Sequence, residues 1–545
     1  MSDFEYKFIP PHHAPDERGG KPPAYEKTIL DGVIIEKDVA ITLRDGVTIY
    51  ADIYRPENEN KAAPLIAWGP YGKHGHTQYS VNFPKAEVDD SNMSDYTAFE
   101  APDPFYWVPH GYAVINVDPR GTWHSEGRAT YLSPEEAEDF ADVIEWAGTQ
   151  EWSNGNVGLS GVSYLTSSQW RVAELNPPHL KAINPWEGWT DTYREVVGHG
   201  GIPETSFWEY LPGRWGNGLN QIEDLRRETR ERPFFDAYWQ SKSANLEKIK
   251  VPAFICASWT DQALHTRGTL EGFRKISSDE KWLYVHGRKK WAHYYEAESV
   301  EMQRAFFDHF LLGKESDLKN WPKVLYEARD AYYQGEEISA KEWPIEGTKY
   351  QSLHLGDGTL ETEPTPPVTK SYNSTNGESV TFDHTFTKAT TLVGHMALRL
   401  WLSIEEGDDM DIFVAIQKLD AAGNIVPFAF YAQFEDGPVA LGWLRVSHRE
   451  LDEDASTPFM PVHKHQRELK LMPGEITPVD IEIWPSGTRF AAGESLRLVI
   501  QGSDIYDYPK PSVYARHESL RNKGRQTIHM GGKHDSNLLI PILPQ

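Results

Sequence analysis

Cysteine is almost missing from this chain: Cys256 is the single one among 545 residues. No internal disulfide can form, which is compatible with a reducing cytoplasm, the compartment expected here. Basic excess is also lacking. Lys and Arg number 54 against 81 Asp and Glu, a formal net charge of −27. Nucleic acid is therefore excluded as a partner, because a phosphate backbone needs a basic face. No apolar run is long enough to span a bilayer, and Met1 to Pro23 is polar with no apolar leader core, so no membrane association is expected. Repeats and low-complexity tracts are absent. Metal-ligand spacing is missing as well. His12-His13, His74-Gly75-His76 and His463-Lys464-His465 have no Cys or acidic partner at helical or hairpin spacing, and read as exposed loop histidines. No metal and no cofactor are expected.

What is present is the material of a packed protein: 39 % hydrophobic and 12 % aromatic residues. The length calls for two to four cores. After an N-terminal arm (residues 1–30), the pattern is strand-rich, with a hairpin signal at Arg44-Asp45-Gly46. Pro64-Leu65-Ile66-Ala67-Trp68 and Tyr112 to Val117 are continuous apolar runs, as in strands buried on both faces. Ser133-Pro134-Glu135-Glu136 supplies an N-cap, a proline at the first helical position and a capping-box glutamate, ahead of a Phe140, Val143, Ile144, Ala147 stripe. Alternating strand and helix over residues 31–175 predicts an α/β core. Residues 176–248, rich in Trp and charge, break that rhythm and read as a helical cap. Residues 249–321 resume the core, and Cys256 falls within an apparent buried strand as a small core residue. Residues 322–545 show closely spaced turns and little helical periodicity, which predicts an all-β sandwich.

The richest local signal is Gly158 to Leu165. A short apolar strand runs into a sharp turn carrying Ser163, and a helix follows. This arrangement lifts a serine hydroxyl out of the sheet above helix N-terminal N–H groups. A serine needs a base to act as a nucleophile near neutral pH. Downstream, Asp261 follows a buried strand, and His293 lies on the loop after the next one. Ser, Asp, His in that order is the α/β-hydrolase arrangement. Asp261 is expected to hold one imidazole nitrogen of His293, and the other to take the Ser163 proton. His286 competes for the base role but directly follows its strand. Arg120-Gly121 is expected to organise the loop near the turn. As a group, Trp186, Trp189, Trp208 and Trp215 of the cap, with Trp259 beside the acid, favour an apolar or aromatic acyl or alcohol group in the substrate.

These motifs resemble the CocE/NonD acyl esterases, which share their architecture with X-prolyl dipeptidyl peptidases. Gly161-Val162-Ser163-Tyr164-Leu165 is similar to that family's nucleophile turn, with Thr166 where a glycine is usual. Asp118 to Gly127, Trp259-Thr260-Asp261 and Trp291-Ala292-His293 match further segments, and Asp480 to Ser486 and Phe490 to Arg497 resemble its C-terminal jelly roll. The resemblance implies an oxyanion hole made by the Tyr164 N–H and the Tyr71 hydroxyl of Pro70-Tyr71-Gly72-Lys73. It implies a small-molecule ester as substrate, cleaved through an acyl-serine. Amino-ester hydrolases of this kind carry carboxylates just after the catalytic Asp, whereas Gln262-Ala263-Leu264-His265 has none. An X-prolyl dipeptidyl peptidase or amide acylase of the same fold, and an acyltransferase with the same triad, are the alternatives. Association of the chain with itself is left open.

Overall fold

The computed structural model describes residues 4–13, 22–58, 60–74, 77–211, 218–508 and 514–544. Eleven strands form the core sheet: β1 (Glu26–Leu30), β2 (Val33–Thr42), β3 (Thr48–Pro56), β4 (Ala63–Trp68), β5 (Tyr112–Asp118), β6 (Val157–Val162), β7 (Leu180–Trp186), β8 (Ala253–Ser258), β9 (Lys281–His286), β10 (Val324–Ala331) and β11 (Gln334–Ala340). Their spatial order is 1-2-3-5-4-6-7-8-9-10-11. The pairings from β5 through β10 are parallel, with antiparallel strands at both ends.

The buried runs alternate between two apolar layers, as the two-residue period of a strand requires. Ile66 and Ile115 face one side with Phe140, Val143 and Ile144 of helix α1 (Pro134–Gly148). Leu65 and Val114 face the other with Phe306 and Phe307 of α5 (Ala297–Leu312). Helices α2 (Tyr164–Ala173) and α3 (Thr266–Lys275) join α1 on the first face, and α4 (Lys290–Tyr295) precedes α5 on the second. Ser133 caps α1 by accepting from the Glu136 amide at 3.1 Å. The Glu136 carboxylate does not close a capping box. It turns inward to accept from Trp68 Nε1 at 2.9 Å, from the Tyr164 hydroxyl and from the Leu132 amide.

Several segment limits differ from the sequence reading. Leu180–Trp186 is a core strand although it contains Lys181, Asn184 and Pro185, so the insertion starts after it. The described part of that insertion is built from loops, two-residue strands and short helices, the helices among them Phe207–Tyr210, Leu225–Glu231 and Ala237–Ser241. The core sheet also continues past residue 321 through β10 and β11. In the arm, Phe8–Ile9 pairs with Ile222–Glu223 of the cap.

The C-terminal region is an antiparallel sandwich. One layer centres on Thr390–Ile404 and Thr477–Phe490, the other on Asp411–Leu419 and Ser495–Gln501. Leu398, Ile481, Ile412 and Leu498 fill the space between them. The sandwich is clamped to the rest of the molecule by Arg267 of α3, which binds Glu195 of the cap at 2.7 Å and Glu482 of the sandwich at 2.9 Å. His463 and His465, expected on an exposed loop, are instead 4 % and 3 % exposed in this interface. His463 Nε2 contacts the Asp480 carbonyl at 2.9 Å, and the His465 ring packs on Tyr193.

Candidate active site

Ser163 occupies the turn between β6 and α2 with φ 61° and ψ −115°. A left-handed backbone at a non-glycine residue costs on the order of 1–3 kcal/mol. Its amide is held by the Trp186 and Glu187 carbonyls at 3.1 and 2.9 Å, which keep the turn in place. Gly161 is required here. A side-chain carbon at that position would stand 2.6 Å from Leu165 Cβ and 3.0 Å from the Glu100 carbonyl oxygen.

Thr166 fits where the resemblance expects a glycine, and the surroundings are adjusted for it. Its hydroxyl contacts the Gly161 and Trp186 carbonyls at 2.9 and 2.8 Å and accepts from the Trp186 amide at 2.7 Å. Space for its methyl is left by Gly188, where a Cβ would approach Thr166 Cγ2 to 2.4 Å. Thr166→Val is close in shape but leaves buried backbone groups unpaired, so it should lower stability by about 1–3 kcal/mol. Thermal unfolding of the two proteins checks this; an unchanged Tm would show that the hydroxyl contributes nothing.

The imidazole beside the serine is that of His265. Ser163 Oγ lies 3.1 Å from His265 Nε2, and His265 Nδ1 is hydrogen-bonded to Asp261 Oδ2. Asp261 ends the turn after β8, and His265 caps the N-terminus of α3 four residues later. The amides of Leu264, His265 and Thr266 all bond to the Asp261 carbonyl. A single helical turn therefore sets acid and imidazole against each other. The Trp189 ring stacks on His265 with centroids 5.6 Å apart and planes 9° from parallel. Both Asp261 and His265 are fully buried.

His293, the base expected from chain order, is not brought to Ser163. It lies on α4 and turns away from the serine: its Nδ1 is 2.6 Å from Glu296 Oε2, and its Nε2 is 3.2 Å from the Tyr284 hydroxyl. His286 is adjacent to it, with ring centroids 4.3 Å apart, and its Nε2 is 3.1 Å from Glu187 Oε1. The α4 residue that reaches the acid is Lys290, whose Nζ is 2.8 Å from Asp261 Oδ2.

Burial opposes ionisation of Asp261, but the Lys290 ammonium and His265 outweigh it and hold the carboxyl well below the usual range. Burial, and after it the Lys290 charge, push His265 below the ordinary imidazole value despite the pull of Asp261. An imidazole held this way favours the neutral form, which can accept a proton.

Ser163 opens onto a cavity with walls from all parts of the molecule. The core supplies Tyr71, Phe83, Phe99, Glu100, Leu264, Lys290 and Trp291. The cap adds Phe207 and Leu211, and the sandwich closes one side with Tyr431, Ala432 and Gln433. Tyr431 is tied to the acid loop by its amide, which donates to the Thr260 carbonyl at 2.9 Å. The lining is mostly aromatic and aliphatic.

None of the described tryptophans expected in the pocket lines this cavity. Trp186 packs behind the sheet against His286, His293 and Tyr294. Trp189 supports His265, and Trp208 packs on Trp189. Trp259 is buried with its Nε1 donating to the Glu327 carbonyl at 2.8 Å. Trp215 lies outside the described residues. Large rings of this kind are buried by default, and residue type alone does not distinguish a core wall from a pocket wall.

Tyr71 does reach the cavity, and its loop is well anchored. The Lys73 amide donates to Asp118 Oδ1 at 2.8 Å, and Trp123 Nε1 donates to the Pro70 carbonyl at 3.0 Å. The Tyr71 ring meets Phe99 edge to face at 4.8 Å. Tyr164 has its side chain in the core, where its hydroxyl donates to Glu136, and its backbone N–H lies in the first turn of α2. Such first-turn N–H groups have no acceptor within their own helix. Arg120 binds Asp139 through two hydrogen bonds at 2.6 and 2.8 Å and Asp45 at 2.8 Å, which braces the loop away from this cavity.

Three further residues were not singled out from the sequence as parts of the site: His265, Lys290 and Glu100. For His265 the signal was the four-residue step from Asp261 at a helix start. Glu100 accepts from Trp291 Nε1 at 2.7 Å, and burial lifts its carboxyl to about 8 against the pull of Lys290. Among the described residues one group has metal-ligand chemistry, Asp38, Asp52 and His74. The Lys73 ammonium sits against it, 2.9 Å from Asp38 and 3.3 Å from His74, and takes the place a cation would need.

Residues 45–213 match the X-Pro dipeptidyl-peptidase (S15) family, and residues 316–539 match the X-Pro dipeptidyl-peptidase C-terminal non-catalytic domain. A cocaine esterase from Rhodococcus sp. (strain MB1 Bresler) is 24 % identical over 93 % of this chain and 98 % of its own length. A Xaa-Pro dipeptidyl-peptidase from Streptococcus gordonii is 22 % identical over 77 % of this chain and 62 % of its own. The crystal structure of a CocE/NonD family hydrolase from Staphylococcus aureus shares 44 % of its residues, covers 96 % of this chain and 97 % of its own, and superposes with a TM-score of 0.92. A likeness that runs the length of both chains, on a core with a serine at its nucleophile turn, makes this protein a member of the CocE/NonD family of serine hydrolases.

Proposed function

We propose that the protein hydrolyses carboxylic esters with a small-to-medium apolar or aryl group through an acyl-Ser163 intermediate. One observation carries the reading: the hydrogen-bonded series Ser163, His265, Asp261 opens onto an aromatic cavity. In the acylation step Ser163 Oγ bonds to the ester carbonyl carbon while its proton passes to His265 Nε2. Asp261 holds the other nitrogen and stabilises the imidazolium. The carbonyl oxygen becomes an oxyanion that accepts from the Tyr164 N–H and the Tyr71 hydroxyl. Collapse breaks the ester C–O bond, and His265 returns its proton to the departing alkoxide. Water then repeats the sequence on the acyl-enzyme and releases the acid.

The Rhodococcus relative is a cocaine esterase, which supports an ester as the scissile bond. A second reading, an amine-bearing substrate such as an aminoacyl ester or an X-Pro peptide, has Glu100 in its favour as a carboxyl on the cavity wall. Lys290 on the same wall repels an ammonium, and the high pKa of Glu100 leaves it uncharged at neutral pH, so the neutral ester is preferred. The test is a panel of p-nitrophenyl esters, acyl and aminoacyl, with an X-Pro anilide, read together with intact-mass detection of the adduct. Turnover of neutral aryl or acyl esters with an acyl adduct on wild type is the expected result. Turnover confined to the amine-bearing substrates would transfer the assignment to the second reading.

A further inference from the structure

We propose that Lys290 is a positioning residue whose ammonium, held against Asp261 and the Nδ1 side of His265, orients the acid–imidazole pair and keeps the imidazole ready to accept the Ser163 proton in mildly acidic water. The inference rests on His265 being the base, as argued above. Lys290 Nζ is 2.8 Å from Asp261 Oδ2 and 3.2 Å from His265 Nδ1. Ammonium and imidazole therefore share one carboxylate oxygen. Asp261 Oδ1 accepts no hydrogen bond among the described residues. Lys290 is 4 % exposed and stands at the cavity wall, so its charge acts where water screens little.

The consequence follows from what surrounds His265. Asp261 faces it from the loop after β8, Glu187 from the segment after β7, Lys290 from α4 and Ser163 from the nucleophile turn. The uncharged Trp189 ring covers one face. Asp261 and Glu187 favour the imidazolium, and burial and Lys290 oppose it. Lys290 is a cation that opposes the two carboxyl groups. Without it the imidazole would hold its proton to higher pH, and Asp261 would keep a single side-chain hydrogen-bond donor, His265. In an ordinary triad the acid serves the imidazole alone. Here a third charge sets how basic that imidazole is.

The test compares the pH dependence of kcat/KM on one neutral aryl ester for wild type, Lys290→Met and Lys290→Arg, with fluorophosphonate labelling of Ser163 as a check on folding. His265 must be neutral to accept the proton, so activity is lost as pH falls through its pKa. Removing the opposing cation raises that pKa. The acid limb of Lys290→Met should move up by about one pH unit, a tenfold loss on the acid slope. Lys290→Arg, which keeps the charge, should leave the limb near its wild-type position. A limb that stays in place in a Lys290→Met protein that still labels would overturn the proposal, because a merely structural lysine lowers the rate at every pH alike. If Lys290→Met does not label, Lys290→Gln takes its place with the same two outcomes. His265→Gln separates the two readings. An inactive His265→Gln with an unmoved Lys290→Met limb defeats the role of Lys290 alone. A fully active His265→Gln defeats the base assignment, and the role of Lys290 with it.

Discussion

Replacing Ser163 by Ala or His265 by Gln should each lower kcat/KM on a neutral aryl ester by about 10⁴–10⁶-fold, while His293→Gln stays within about tenfold of wild type. Nucleophile and base act as a unit, so losing either leaves only binding and oxyanion stabilisation, and the two losses do not multiply. The double variant should be no worse than the weaker single one. His293 lies on α4, bonded to Glu296 and Tyr284, and touches nothing that reacts. Its replacement disturbs packing around His286 and Tyr284 and shows in stability before it shows in rate. Steady-state kinetics with fluorophosphonate labelling settle the matter. Should His293→Gln be the dead variant and His265→Gln the live one, the base assignment is wrong.

Tyr71→Phe should lower kcat by about 10²–10³-fold and change KM little. Loss of one oxyanion donor typically has that size, because the bond strengthens as charge develops on the oxygen. The anchoring of Lys73 to Asp118 and of Trp123 to the Pro70 carbonyl means that the phenylalanine ring keeps its place. The loss then reports the hydroxyl and not a displaced loop. The Glu100 carboxyl lies on the same cavity wall and interacts with that hydroxyl, which gives this prediction a pH dependence. Below about pH 8 Glu100 holds its own proton and leaves the phenolic one free to point at the oxyanion. Above that pH its carboxylate competes for the phenolic proton and draws the donor away. Activity should therefore fall on the alkaline side near pH 8, and Glu100→Gln should lose that limb. A profile that is flat to pH 10 in wild type would count against the coupling, and a Tyr71→Phe enzyme with full kcat against the donor itself.

The parts of the molecule legible in the sequence are those set by short-range rules. Strand, sharp turn and helix around Ser163 follow from Gly161, the apolar Val157 to Leu159 and the helix-forming run after Tyr164. The α1 stripe, the Asp-Gly hairpin and the antiparallel sandwich have the same local origin. Where spatial neighbours decide, linear order misled. His265 and His293 both follow Asp261, and a motif read by chain order favours the later one. The helical turn from Asp261 to His265 is a three-dimensional fact that three intervening letters do not display. The strand Leu180–Trp186 was hidden for another reason. Lys181 and Asn184 interrupt its apolar run, yet the Asn184 side-chain amide fits inside the sheet by donating to the Phe254 carbonyl at 2.6 Å. Glu136 shows the same limit at atomic scale: its position fits a capping box, but buried Trp68 and Tyr164 offer it better donors. A buried polar group must find a partner, and here distant side chains supply donors that the local sequence does not show.

The wall formed by Tyr431, Ala432 and Gln433 has a consequence in time. Nucleophile, imidazole and acid are all translated by residue 265, but the sandwich that carries Tyr431 cannot close before its final strand, Asn537–Ile542, pairs with Lys349–Leu355. At ~5–20 residues per second the stretch from residue 265 to that strand takes on the order of ten seconds or more to synthesise. The pocket wall in this architecture thus depends on a strand, Asn537–Ile542, made long after the residues that the wall covers.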